Sequence, residues 1–100
     1  MWIVSHNTLV AYWRRHPETM VPLRHWEQLV QAAGWRSMQD VVDGLGGAKA
    51  LNADRARFAI AGGNYRLVVA FNFRRKIAYV KFIGTHAEYD RIDALTVSQF

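Results

Sequence analysis

Cysteine is absent from the 100 residues. That excludes a disulfide framework, a thiolate zinc or iron–sulfur site, and a cysteine nucleophile. Only two prolines occur, Pro17 and Pro22, and no stretch reads as a linker, a repeat or a low-complexity tract. Acidic residues are also few: eight Asp and Glu stand against thirteen Lys and Arg, a formal charge of +5. The longest aliphatic or aromatic run, Leu67 to Phe71, is far too short to cross a bilayer. The opening MWIVSHNTL lacks the basic-then-apolar pattern of a secretion signal. These absences leave one soluble domain spanning residues 1–100, expected in the cytoplasm and away from membranes.

Apolar residues, by contrast, make up 51% of the chain and charged ones 21%, so it can build a core. Ordering costs roughly 1.5 kcal/mol per residue, and a chain this short must bury most of its large apolar side chains to offset that. Little room remains for an internal cofactor pocket, and no cofactor is expected. The surplus of positive charge points to an anionic partner, with nucleic acid foremost.

Hydrophobic spacing divides the chain in two. Trp2-Ile3-Val4 reads as a short strand, and Ser5 can cap a helix to about Arg15 that carries Leu9, Tyr12, Trp13 and His16 on one side. Pro17 and Pro22 bracket the start of a second helix, which continues through Leu23, Trp26, Val30 and Ala33 until Gly34 stops it. Ser37 to Asp40 has capping-box form and opens a short helix ending at Gly44, followed by a loop to about Asp54. Residues 57–60 and 66–73 then read as strands joined by the Ala61-Gly62-Gly63-Asn64 bend, whose glycines accept positive φ. Arg74-Arg75-Lys76 turns the chain into a third strand, Ile77 to Gly84. Thr85 to Glu88 is a second capping box, predicting a helix that carries His86, Tyr89, Asp90 and Ile92. The result is an α+β domain in which an N-terminal strand and helices pack on one face of an antiparallel meander, with a short C-terminal helix.

Strand parity assigns the charges. With even turns, Arg57 shares a face with Arg66, Val68, Ala70, Tyr79, Lys81 and Ile83. The opposite, helix-facing side is Phe58, Ile60, Leu67, Val69, Phe71, Phe73, Ala78, Val80 and Phe82. Like charges converging on one face are unfavourable unless an anion joins them. The alternative is ordinary solvated charge on an exposed sheet face. The Arg74-Arg75-Lys76 turn is likewise either a solvated tip or a contact to a phosphate backbone.

At the second capping box, His86 stands beside backbone N–H groups at a helix start, a natural place for phosphate. Tyr89 lies on the same side of that helix, and even turns put His86 opposite the Gly62–Asn64 bend. Histidine, tyrosine and two or three cations around one concavity suit RNA cleavage by the ribose 2′-hydroxyl, which needs a base, an acid and cations for the phosphorane. No metal is expected: His86 with Asp90 is at most half a site, without a third ligand. Glu88 reads as the capping partner of Thr85, and Asp90 as an orienting or helix-start carboxylate. Tyr79 and Tyr89 also fit as amphipathic core edges, while Trp13, Trp26 and Trp35 fit core packing. His6, His16 and His25 share no spacing.

Two stretches, Phe58-Ala-Ile-Ala-Gly-Gly-Asn-Tyr-Arg-Leu-Val-Val-Ala and Phe82-Ile-Gly-Thr-His-Ala-Glu-Tyr-Asp, together resemble the HigB-type toxins of toxin–antitoxin systems, which are related in fold to RelE. The likeness is closest over residues 57–93 and extends more weakly through His25-Trp26, Trp35 and Ser37 to Val42. It implies a ribosome-associated endoribonuclease that cuts mRNA and is silenced by a helix-turn-helix, HigA-like antitoxin. It also implies an active centre at Arg66, His86 and Tyr89, with Arg57 and Lys81 on the RNA backbone. The rival readings are a non-catalytic RNA- or DNA-binding module, or an inactive toxin acting only as antitoxin co-repressor.

Overall fold

Every residue from 1 to 100 is described by the computed structural model. β1 (Trp2–Val4) leads into α1 (His6–Arg15), where the Ser5 hydroxyl caps the helix by accepting from the Thr8 N–H at 3.2 Å. A 3₁₀ turn over Pro17–Thr19 precedes α2 (Met20–Ala32), with Pro22 in its first turn, where a missing N–H costs nothing. The helix stops at Ala32, two residues short of Gly34. In α3 (Met38–Gly44) the Ser37 hydroxyl accepts from Asp40 N–H, but the Asp40 carboxylate turns back to the Arg36 N–H at 2.9 Å rather than to Ser37.

The remaining elements are β2 (Ala48–Ala50), β3 (Arg55–Ile60), β4 (Tyr65–Asn72), β5 (Ile77–Thr85) and α4 (His86–Tyr89). They make a five-stranded sheet in the order β1-β5-β4-β3-β2, antiparallel except where β1 runs parallel to β5. β2 falls in the segment expected as loop: Ala-Lys-Ala has no hydrophobic alternation, and pairing with β3 alone makes it a strand. Both hairpin loops span four residues, since Ile60 pairs with Tyr65 and Asn72 with Ile77. Even loops preserve the expected parity, and Arg57, Arg66, Val68 and Ala70 do share a face.

One expectation fails at a bulge. Val68 pairs with Phe82 but Val69 pairs with Val80, so Lys81 is an extra residue and everything after it changes face. Ile83, expected beside the cations, lies in the helix-facing core, while Phe82, expected in that core, lies on the opposite face. There its ring lies against Gly84, where a Cβ would come within 2.6 Å of Phe82 Cζ. The last helix also falls short of expectation: α4 is one turn, ending at Tyr89 before it can carry Ile92.

The helices cover the other face. Seventeen buried residues form one core that includes Leu9, Leu23, Trp26 and Val30 from the helices and Phe58, Leu67, Phe71 and Val80 from the sheet. The Trp26 ring meets Phe58 edge-on at 5.4 Å, and Trp13 and Trp35 pack on the core margin as expected. Val68 and Phe82 are buried outside this core. The C-terminal segment is anchored to the strand bearing Arg55, which donates to the Ala94 and Val97 carbonyls (3.1 and 2.9 Å). Its far end fills the edge of β5 beyond β1, with Gln99 N–H donating to Lys81 O at 2.9 Å and Ile83 N–H to Gln99 Oε1 at 3.0 Å.

Candidate active site

The sheet face turned away from the helices is rich in cations. One cross-strand row runs Lys49, Arg57, Val68, Phe82; the next runs Ala59, Arg66, Gly84; a third runs Arg55, Ala70, Tyr79. Lys81, at the bulge, sets its ammonium 5.5 Å from the centre of the Tyr79 ring. The only ion pairs in the chain are His6–Glu27 and His86–Asp90, so none of these cations has a carboxylate partner. Lys49 and Arg57 are directly opposed like charges, an arrangement that repels. Reading the sequence missed Lys49, because a lysine between two alanines carried no strand signal. It also missed Arg55, whose guanidinium clamps the C-terminal segment.

Arg66 and His86 arise at the same end of the sheet. Arg66 pairs across β4 and β5 with Gly84, two residues before His86. Its Nη1 donates to the Gly63 carbonyl and, at 3.3 Å, to the Tyr65 carbonyl, leaving the rest of its five N–H donors uncommitted. Gly63 permits this: its φ is +92°, and a Cβ there would stand 3.3 Å from Arg66 Nη1. The backbone N–H of His86 donates to Asn64 O at 3.0 Å, tying α4 to the same bend. The His86 ring is exposed, with Nδ1 3.0 Å from Asp90 Oδ2. A carboxylate only accepts, so Nδ1 carries the proton and Nε2 is left as the free nitrogen of the neutral ring. Tyr89 is half-buried with its ring 6.4 Å from that of Phe82, which places it on the cationic face.

Around Thr85 three of the backbone donors are already used. Thr85 N–H goes to Glu88 Oε1 at 2.8 Å, Glu88 N–H to Thr85 Oγ1 at 3.1 Å, and His86 N–H to Asn64. The capping box therefore forms as expected, but the helix start is not a ready anion cradle; an anion here would be held by side chains. The Thr85 N–H holds the Glu88 carboxyl below the usual carboxylate range.

The turn cations sit elsewhere. Arg74 and Arg75 are exposed beyond the far end of β4, which is about 20 Å from Arg66 along the strand. Lys76 is half-buried at φ +59° and donates from Nζ to Trp35 O at 2.9 Å, so its charge closes the hairpin onto the helical layer. Nowhere do three or more His, Asp or Glu side chains gather in a metal-holding group. No helix is long and apolar enough to cross a membrane.

Comparison with known families is decisive about kinship. The model of the HigB toxins, described as the RelE-like toxic component of a toxin–antitoxin system, matches residues 19–92. The chain belongs to the HigB toxin family. No curated protein matches it. Family membership makes it the toxic member of a pair, with an antitoxin as partner. The matched span contains Lys49, Arg57, Arg66, Lys81, His86 and Tyr89, and leaves out β1, α1 and the segment after Ile92.

Proposed function

We propose that this HigB-family chain is a ribosome-dependent mRNA endoribonuclease that cleaves by 2′-hydroxyl attack without a metal. A base removes the 2′-hydroxyl proton, the 2′-oxygen bonds to phosphorus, and the bond from phosphorus to the 5′-oxygen breaks as that oxygen takes a proton. The products are a 2′,3′-cyclic phosphate and a 5′-hydroxyl. His86 transfers a proton through Nε2, with Asp90 holding the ring. Arg66 stabilises the phosphorane, and Tyr89 assists as acid, base or stacking partner. Arg57 and Lys81 hold the backbone. Arg74, Arg75 and Lys76 were expected to do the same; Arg74 and Arg75 keep that role in the proposal at a distance from the cut, and Lys76 the least of it.

The observation that carries the reading is a sheet face of cations that pair with no carboxylate, ending where an exposed, carboxylate-oriented histidine meets the bend that holds Arg66. In the cell the substrate is mRNA on the ribosome, the compartment is the cytoplasm, and the antitoxin is a helix-turn-helix protein of HigA type. Losing a transition-state cation or proton carrier costs roughly 10²–10³-fold in rate, about 3–4 kcal/mol. Arg66→Ala and His86→Ala should each relieve growth arrest on induced expression while melting as the parent does. Arrest retained by both would overturn the assignment.

A further inference from the structure

A second cleft lies where α1 meets α4 and the C-terminal segment. It is a cavity of about 400 Å³, near the small end of ligand pockets, bordered by Tyr12, Arg15, His16, Glu88, Gln99 and Phe100. Ile83 completes the lining, and of the seven residues only Ile83 and Glu88 lie within residues 19–92, so the family match leaves most of the cleft unaccounted for.

Three features point to a flat, hydrogen-bonding ligand. The Tyr12 and His16 rings, both of which line the cleft, stack at 4.4 Å and 23° and give it an aromatic wall; Tyr65, outside the lining, meets both edge-on near 6 Å. Tyr12 is 94% buried by area, yet its hydroxyl has no hydrogen-bond partner. A sealed, unpartnered hydroxyl is a standing cost that an incoming acceptor would relieve. The third feature is that Arg15 and Glu88 border one cavity without pairing with each other. The guanidinium can only donate, and the free oxygen of the Glu88 carboxylate can only accept.

We infer that this cleft is a nucleobase subsite that favours guanine. Among the four bases, guanine alone joins two adjacent acceptors, O6 and N7, to two adjacent donors, N1–H and the N2 amino group. Arginine matches the first pair bidentately, and the free oxygen of the Glu88 carboxylate can accept from the second. The aromatic wall adds stacking that any base can use, so shape admits a base and the charged pair selects it. The inference rests on the RNA-cleaving reading: Glu88 closes the cleft and caps the turn that begins at His86, so a base seated here would be a near neighbour of the cut.

The test is an NMR titration with guanosine 5′-monophosphate, run beside the adenosine, cytidine and uridine monophosphates. It is made in the Arg66→Ala chain, which removes the sheet cation most apt to hold the phosphate. Saturable shifts at Tyr12, His16 and Gln99 are expected, strongest for the guanosine nucleotide. Arg15→Ala should weaken that binding about tenfold, as the loss of a bidentate base contact would. Tyr12→Phe should also weaken it while leaving the melting temperature unchanged or raised, because it deletes an unsatisfied group and keeps the ring. Equal affinity for all four nucleotides would overturn the guanine assignment. Absence of shifts in the cleft, or shifts that persist in both variants, would overturn the subsite. RNA cleavage by the parent chain, measured separately, tells either failure apart from failure of the nuclease reading.

Discussion

Gly63 and Gly84 hold the two sides of the candidate active site, and each excludes a side chain for its own reason. Gly63 combines positive φ with a guanidinium 3.3 Å from where Cβ would be. Gly63→Ala should lower stability by about 1–2 kcal/mol, read by urea unfolding, and weaken RNA cleavage by displacing Arg66. At Gly84 an added methyl would meet the Phe82 ring at 2.6 Å, so Gly84→Ala should cost about 1–3 kcal/mol from overpacking. Glu88 supplies a pH signature. Its carboxyl titrates below the ordinary value of 4.5 in the folded chain, chiefly because the Thr85 N–H favours the charged form. That contribution is complete above 4.5 and disappears as pH falls through the lower folded value. Glu88→Gln should therefore flatten the acid limb of the stability curve below about pH 5, measured by thermal melts across pH. Much of this was legible in the sequence, because the Thr85-to-Glu88 spacing forces the cap and the i,i+4 spacing lets His86 reach Asp90. The curl of Arg66 onto Gly63 was not, since it depends on where a loop carbonyl points.

Among the elements, β5 decides what each face carries. The alternation of Ile77 through Val80 was readable, but Phe82-Ile83 placed two large apolar residues side by side and fitted either face. The bulge at Lys81 resolves that ambiguity: Ile83 goes to the helical core, and Phe82 goes to the opposite face, in the row of Arg57 and Val68. Nothing in the sequence of that segment announced its route, which is fixed by single hydrogen bonds to distant strands. Arg55 is the principal clamp. Arg55→Ala should leave two carbonyls without their donor and lower stability by about 1–3 kcal/mol. It should also speed amide exchange at Gln99, read by hydrogen–deuterium exchange, while amides of α2 exchange as before. β2 escaped notice for a related reason: an edge strand of three residues owes its form to its partner rather than to its own pattern.

For the molecule as a whole, charge is distributed by face. Helices seal one side of the sheet, and the cations left on the other form no ion pair with a carboxylate. If Lys49, Arg57, Arg66 and Lys81 together contact RNA phosphates, the logarithm of affinity should fall with the logarithm of salt at a slope of about −3, given roughly −0.7 per contact to a single strand. Removing Arg57 alone should make that slope shallower by about 0.7, as measured by fluorescence titration of a His86→Ala chain that binds without cutting. Fold class and charge segregation were readable because both follow from strand parity over long segments. The cleft between α1 and the C-terminal segment was not, because it joins residues about 70 to 90 positions apart in sequence, which no local period links.

The proposed chemistry leaves a mark on its product. The ends of cellular mRNA fragments made after induction should be a 2′,3′-cyclic phosphate upstream of the cut and a 5′-hydroxyl downstream, and both should vanish in Arg66→Ala and His86→Ala. Fragments bearing 3′-hydroxyl and 5′-phosphate ends, or the same fragments in both variants, would contradict the account.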